Sequence, residues 1–388
     1  MNVKSIARKA ILPSIAFALA LFVGGLVIGL TDSRVLSKIS SPISFIKIFA
    51  STVGNAYLAL FQGAIFDPNL AEGHSFLTGF YPLSQTVVNA APLMLCGLSV
   101  AIAFKAGLFN IGAQGQFILG AIGASYVGFH FKLPIVVHIL IAIFAAIVLS
   151  ALWGGFVGLL KAKTGAHEVI VTIMLNYIAA NFLLWLLGTS AFLRPGRLDP
   201  LAPPIAESAR LLRLFGQNYS VNVGIFISVF VAFLFWLLIN RSTWGFKTRA
   251  VGANSSAAKT AGISVQKITV GTMLIAGGLS GLAGAIHVLG FQYELTADVA
   301  GSFGFDAITV ALLGRGGPVG VVLASLLFAG LRVGGSTMQA NVQVPVEIVL
   351  VIQALVVLFI AAPGLITRYL KIKNLESGQE MASKGWNG

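Results

Sequence analysis

LPIVVHILIAIFAAIVLSALWGGFVGLL, residues 133–160, runs for 28 positions without an Asp, Glu, Lys or Arg. A helix needs about 20 apolar residues to cross a bilayer core. This stretch meets that requirement by itself, and it sets the class of the protein. Similar runs lie on both sides of it, at 11–30, 84–104, 107–129, 169–190, 222–240, 267–290, 300–314, 318–338 and 344–362. The reading is an all-α integral membrane protein with about ten transmembrane helices.

Composition agrees. Of 388 residues, 57% are hydrophobic and only 10% charged, against roughly 25% charged in soluble domains. So few charges cannot cover a water-facing surface, which excludes an ordinary soluble enzyme and a disordered chain. The single cysteine, Cys96, sits in an apolar run and has no partner for an internal disulfide or a metal site.

The first span follows Lys4, Arg8 and Lys9. Its apolar run exceeds a usual signal-peptide core, so it reads as an uncleaved span. Ten spans put both termini on one side. The loops of that side hold 16 of the 25 Lys and Arg, against three acids, Glu168, Glu376 and Glu380. The positive-inside rule makes that side cytoplasmic, and the net charge of +13 then reflects orientation rather than nucleic-acid binding. Residues 31–83 carry Pro42, Asp67, Pro68, His74 and Pro82, and residues 191–221 carry four prolines and four arginines. Both are expected outside, as loops or short surface helices. Residues 241–266 form the longest cytoplasmic loop, and 363–388 a short cytoplasmic tail.

A weak internal symmetry relates two halves. Each has a glycine-punctuated span pair, PLMLCGLSVAIAFKAG (92–107) and GFDAITVALLGRGGPVG (304–320). Repeats of this kind place a pathway at their interface in transporters. Gly154 with Gly158, and Gly277 with Gly281, form GxxxG pairs that let helix backbones approach closely in lipid.

Polar residues within spans are costly and therefore informative. Glu168, Thr172 and Asn176 share one stripe, and Asn110 lies four residues before Gln114. Gln116 reads as a bond between helices. Asp306, beside Ser302, Thr309 and Phe305, lies in a segment of about 15 residues, roughly 22 Å long. Such short or broken segments are where transporters place groups for ligands. His138 and His287 stand alone in apolar runs as ordinary core residues. No dense relay of Asp, Glu and His crosses the membrane, which argues against an ion-driven antiporter.

TWGFKTRAVGANSSAAKTAGISVQKI (243–268) is the sharpest cytoplasmic feature. Asn254 suits the N-cap of a helix over 255–261, and Gly262 suits the glycine that ends it. Ala257, Ala258 and Ala261 are expected exposed. A short helix with a bare surface, carried on two long spans, suits docking into another protein. The chain has no phosphate loop of the GxxxxGK[ST] type, and no catalytic or metal-binding constellation, so neither cofactor nor catalysis is expected of it.

FNIGAQGQFILGA (109–121), EVIVTIMLNYIAANF (168–182), GFKTRAVGANSSAAKTAGI (245–263) and GFDAITVALLGRGGPVGVV (304–322) resemble the permease subunits of ABC importers. The resemblance is to the branched-chain amino acid, ribose and nucleoside superfamily, and most to its nucleoside (and simple-sugar) branch. It implies the ten-span type II importer fold. It also implies a second homologous permease subunit, an ATP-binding subunit with two nucleotide-binding domains, and a substrate-binding lipoprotein outside. Gly252, Asn254, Ala257, Ala258 and Gly262 then match the family's coupling helix. Asn110, Gln114, Asn176, Asp306 and Phe305 are candidates for lining the translocation path. The localisation implied is the plasma membrane of a prokaryote. The same machine could instead import ribose, another simple sugar or branched-chain amino acids. A stand-alone secondary carrier is the reading from a different class.

Overall fold

The computed structural model describes residues 3–72, 75–216 and 219–361; the expected cytoplasmic tail at 363–388 lies outside them. Among the described residues the chain forms helices and no strand. In chain order these are α1 (Val3–Thr31), α2 (Ser33–Leu36), α3 (Pro42–Ala64), α4 (Tyr81–Lys105), α5 (Ala113–His130), α6 (Ile135–Thr164) and α7 (Glu168–Leu187). They continue as α8 (Gly224–Arg241), α9 (Thr243–Ala253), α10 (Ser255–Thr260), α11 (Val265–His287), α12 (Phe303–Leu313), α13 (Pro318–Val342) and α14 (Glu347–Ala361). Among the described residues, eight helical segments are long and apolar enough to cross a membrane, including Ser14–Thr31, Ile135–Thr164 and Val265–Gln292. The helices at Phe303–Leu313 and Glu347–Phe359 are apolar but shorter.

The chain divides into two compact units, with boundaries inside α4 and α13. Among the described residues the first unit holds those up to Val87 and those from Leu326 to Ala361. Here the structure departs from the expectation for 31–83: Pro42–Ala64 is one helix of 23 residues, apolar and long enough to cross a membrane. Its buried stripe is Thr52, Ala56, Ala59 and Gly63, an i, i+4, i+7, i+11 series of small residues on one face. A Cβ on Gly63 would lie 2.3 Å from the Thr337 side chain, so α3 seats on α13 through this stripe. In the same unit Ile352 of α14 fills the space above Gly24 of α1.

The second unit, residues 88–325, is built on α5, α6 and α11. The expected GxxxG pairs are where these helices meet. A Cβ on Gly277 would lie 2.3 Å from the Ser150 carbonyl, one on Gly120 2.3 Å from the Gly281 carbonyl, and one on Gly154 2.4 Å from the Met273 carbonyl. Backbone therefore meets backbone, the arrangement that gives dispersion contact in lipid without a hydrophobic driving force. The helix α6 ends with Lys161 and Lys163 in its last turn, and Gly165 caps it in the left-handed conformation at φ 72°.

The segment between α7 and α8 is irregular apart from a short 3₁₀ turn at Glu207–Ala209. It is tied to the connection after α11 by backbone bonds from Ala202 to Leu295, Ile205 to Tyr293 and Leu211 to Leu289. Arg194 adds an ion pair with Glu294 at 2.7 Å.

Candidate functional site

Two constellations from the second unit stand out. The first is the elbow formed by α9 and α10. Ser242 caps α9, its Oγ accepting from the Gly245 N–H at 2.9 Å. Asn254 both ends α9 and caps α10, its Oδ1 accepting from the Ala257 N–H at 2.9 Å. Gly262 closes the elbow at φ 79°, and the Ile263 N–H returns to the Ala258 carbonyl at 3.0 Å in the manner of a Schellman cap.

This elbow differs from the expected one in two respects. The helix α9 was not anticipated, although Ser242 as cap and the spacing of Trp244, Thr248 and Val251 signal it. Ala258 is also not exposed. It is 4% accessible and packs with Val251 and Ile268, against Trp244. A six-residue helix resting on a support must turn one residue inward, and Ala258 occupies that position. Ser255, Ser256, Ala257, Lys259 and Ala261 face outward, and they form the free surface.

The second constellation surrounds residues 107–116. The sequence suggests a span from 107, but α5 begins only at Ala113. The preceding residues run through two turns, at 106–107 and 111–112, and are held by side-chain amides. Asn110 is fully buried; its Nδ2 donates to Ser99 Oγ at 3.1 Å and to Gln116 Oε1 at 2.9 Å, and its Oδ1 accepts from Gln116 Nε2 at 3.1 Å. Asn176 reaches across from α7, donating to the Ile111 carbonyl at 2.9 Å and accepting from the Gly115 N–H at 2.8 Å. Gln114 donates to the Gly301 carbonyl at 2.6 Å and accepts from the Gly304 N–H at 2.8 Å. It thus fixes the start of α12. Ser99 in turn donates to the Ala276 carbonyl, which joins α4 to α11. Glu168 pairs with Lys161 and accepts from the Phe109 N–H. Every polar residue of the expected stripe is therefore satisfied inside the protein.

Asp306 and Phe305 are placed differently. Asp306 is half-buried in the first turn of α12 and accepts from Ser302 Oγ at 2.7 Å. Phe305 is 50% exposed, while its neighbour Phe303 is buried and stacks on Phe117 at 5.5 Å. At eleven residues, α12 is about 16 Å long, too short to span alone. His287 lies against Phe117 and Phe303, with its Nε2 3.0 Å from Gln292 Oε1. His138 is fully buried between Ser208 Oγ and the Val127 carbonyl. Among the described residues no group of three or more His, Cys, Asp or Glu is positioned to hold a metal.

Residues 83–361 match the family described as branched-chain amino acid transport system / permease component. The chain belongs to this permease family. The permease is 38% identical to the guanosine ABC transporter permease protein NupP of Bacillus subtilis, over 82% of this chain and 92% of that one. It is 36% identical to the glucose ABC transporter permease protein TsgB13 of Haloferax volcanii, over 78% and 83%. It is also 28% identical to the ribose import permease protein RbsC of Escherichia coli, over 66% and 76%. No solved structure matches it. The permease is thus a multi-pass membrane component of an ABC transport system, and the reading of a transport subunit rests on this membership together with its apolar helices.

Proposed function

We propose that the permease forms half of a nucleoside pathway in an ATP-driven importer. The observation that carries this reading is the 38% identity to a guanosine permease across 92% of that protein. The exposed face of α10, at Ser255, Ser256, Ala257 and Ala261, docks into an ATP-binding subunit with two nucleotide-binding domains. A second homologous permease completes the pathway, and a substrate-binding lipoprotein delivers solute outside. The permease lies in the plasma membrane of a prokaryote with both termini in the cytoplasm.

ATP binding closes the nucleotide-binding domains, and the docked elbows carry that motion to the two permeases. A ligand shifts such an equilibrium only by its differential affinity for the two forms. The pathway therefore binds solute weakly, and selectivity rests with the lipoprotein. Asp306 and Phe305 present a hydrogen-bonding group and an apolar face to a nucleoside. Asn110, Gln114 and Asn176 shape the wall of the pathway by fixing its backbone.

The glucose permease at 36% identity favours a second reading, a simple sugar as the solute of the same machine. Competition decides between them. In a strain rebuilt with the whole complex, uptake of labelled uridine should be blocked by excess adenosine and untouched by excess ribose or glucose. Transport of labelled sugar with no transport of nucleoside would remove the nucleoside reading.

A further inference from the structure

We infer that Gly107 and Gly252 form a rigid joint that carries motion from the α9–α10 elbow into the wall of the pathway. This rests on the reading of the elbow as the site of ATPase docking. A Cβ on Gly252 would lie 2.3 Å from the Lys105 carbonyl oxygen, 2.9 Å from the Ala106 carbonyl carbon and 2.9 Å from the Gly107 nitrogen. A Cβ on Gly107 would lie 3.2 Å from the Gly252 Cα, and Gly107 itself holds φ 72°. The end of α9 is therefore seated on the chain just beyond α4, backbone on backbone, with no side chain between them to absorb a displacement.

What lies beyond the joint is equally stiff. Three residues after Gly107, Asn110 enters its buried amide pair with Gln116 and bonds to Ser99 of α4. Asn176 holds Ile111 and Gly115, and Gln114 holds Gly301 and Gly304 at the start of α12. From the elbow to Asp306 the structure gives one continuous run of backbone contact and paired amides. The elbow is also supported by Ala258 against Val251 and Ile268 of α11 and by Gly245 against the Leu238 and Ile239 carbonyls of α8, but only the Gly252 contact falls directly on the chain that leads to Asn110. Gly107 and Gly252 are positioning residues: they touch no solute, and they set how far α5 and α12 follow the elbow.

The test uses the whole complex, with lipoprotein, both permeases and the ATPase, reconstituted in vesicles. Uptake and ATP hydrolysis are read together as solute moved per ATP spent. Gly252→Ala should assemble and hydrolyse ATP, yet its ratio should fall about ten-fold, within the usual range of a coupling energy. Gly107→Asn, which tolerates positive φ and adds a milder contact, should fall less. Gly271→Ala is the control: its Cβ would meet Trp244 at an ordinary 3.6 Å, and its ratio should match wild type. A wild-type ratio in Gly252→Ala or Gly107→Asn overturns the joint. So does failure of both variants to enter the membrane while Gly271→Ala enters, since that assigns the contact to folding. Wild-type uptake independent of ATP would instead remove the docking reading beneath it.

Discussion

Asn110 and Gln116 are bonded amide to amide in both directions, at 2.9 and 3.1 Å, in a fully buried site. Shortening Asn110 strands both the donor and the acceptor of Gln116, and shortening Gln116 strands the Asn110 Oδ1, whose Nδ2 keeps Ser99. An unsatisfied buried group costs about 1–3 kcal/mol, and less where lipid-embedded chains find substitute partners. Asn110→Ala and Gln116→Ala should each lower the thermal midpoint of the detergent-solubilised protein. The double variant should cost less than the sum of the two, because the second loss removes the stranded partner. Full additivity would contradict the pairing.

The α6–α11 contact gives a second prediction. Gly277→Ala pushes a methyl to 2.3 Å from the Ser150 carbonyl, whereas Gly278→Ala meets Ile147 at 3.4 Å. Overpacking of this kind costs about 1–3 kcal/mol. Gly277→Ala should unfold at a lower temperature than wild type and Gly278→Ala should not. Equal midpoints would show that the helices separate at little cost.

The elbow separates two alanines that the sequence treats alike. Ala257 is exposed and Ala258 is buried. Ala257→Arg should abolish co-purification of the ATPase subunit while leaving the thermal midpoint unchanged. Ala258→Arg forces a charge between Val251, Ile268 and Trp244 and should lower the midpoint as well. Normal co-purification with Ala257→Arg would remove the docking face from this surface.

Asp306 and Phe305 are the side chains proposed to meet the solute. Asp306→Ala should reduce uptake per inserted molecule with little change in midpoint, since Asp306 is only half-buried. Phe305→Ala should do the same. Gln114→Ala should instead reduce both, because it releases the backbone at Gly301 and Gly304. Uptake unaffected by Asp306→Ala and Phe305→Ala would move the lining elsewhere.

These assignments show what a membrane sequence reveals and what it conceals. Long helices such as α6 were legible because lipid leaves a spanning backbone few alternatives, and continuous apolarity marks them. The helix α3 was not, because Lys47, Asn55 and Gln62 interrupt its run and hold its mean hydropathy well below that of α6. The polar stripe was visible as a stripe. Its partners were not: Asn176 bonds to backbone atoms 65 and 61 positions away, Gln114 beyond the stripe to atoms 187 and 190 away, and no local pattern encodes such distances. The caps of the elbow followed from Asn254 and Gly262. The inward turn of Ala258 did not, since two adjacent alanines in a six-residue helix offer no contrast between faces. The segments 92–107 and 304–320, paired in the sequence by their glycines, also touch: Gly97 packs against Val310 and Val321.

The central claim is that the chain moves solute only as part of an ATP-driven assembly. It is tested most directly by loading vesicles with the purified chain alone, or with both permeases, the ATPase subunit and the lipoprotein, and measuring entry of labelled guanosine with and without ATP. Accumulation only in the complete assembly, and only with ATP, is the predicted result. Entry of guanosine into vesicles holding this chain alone would contradict it.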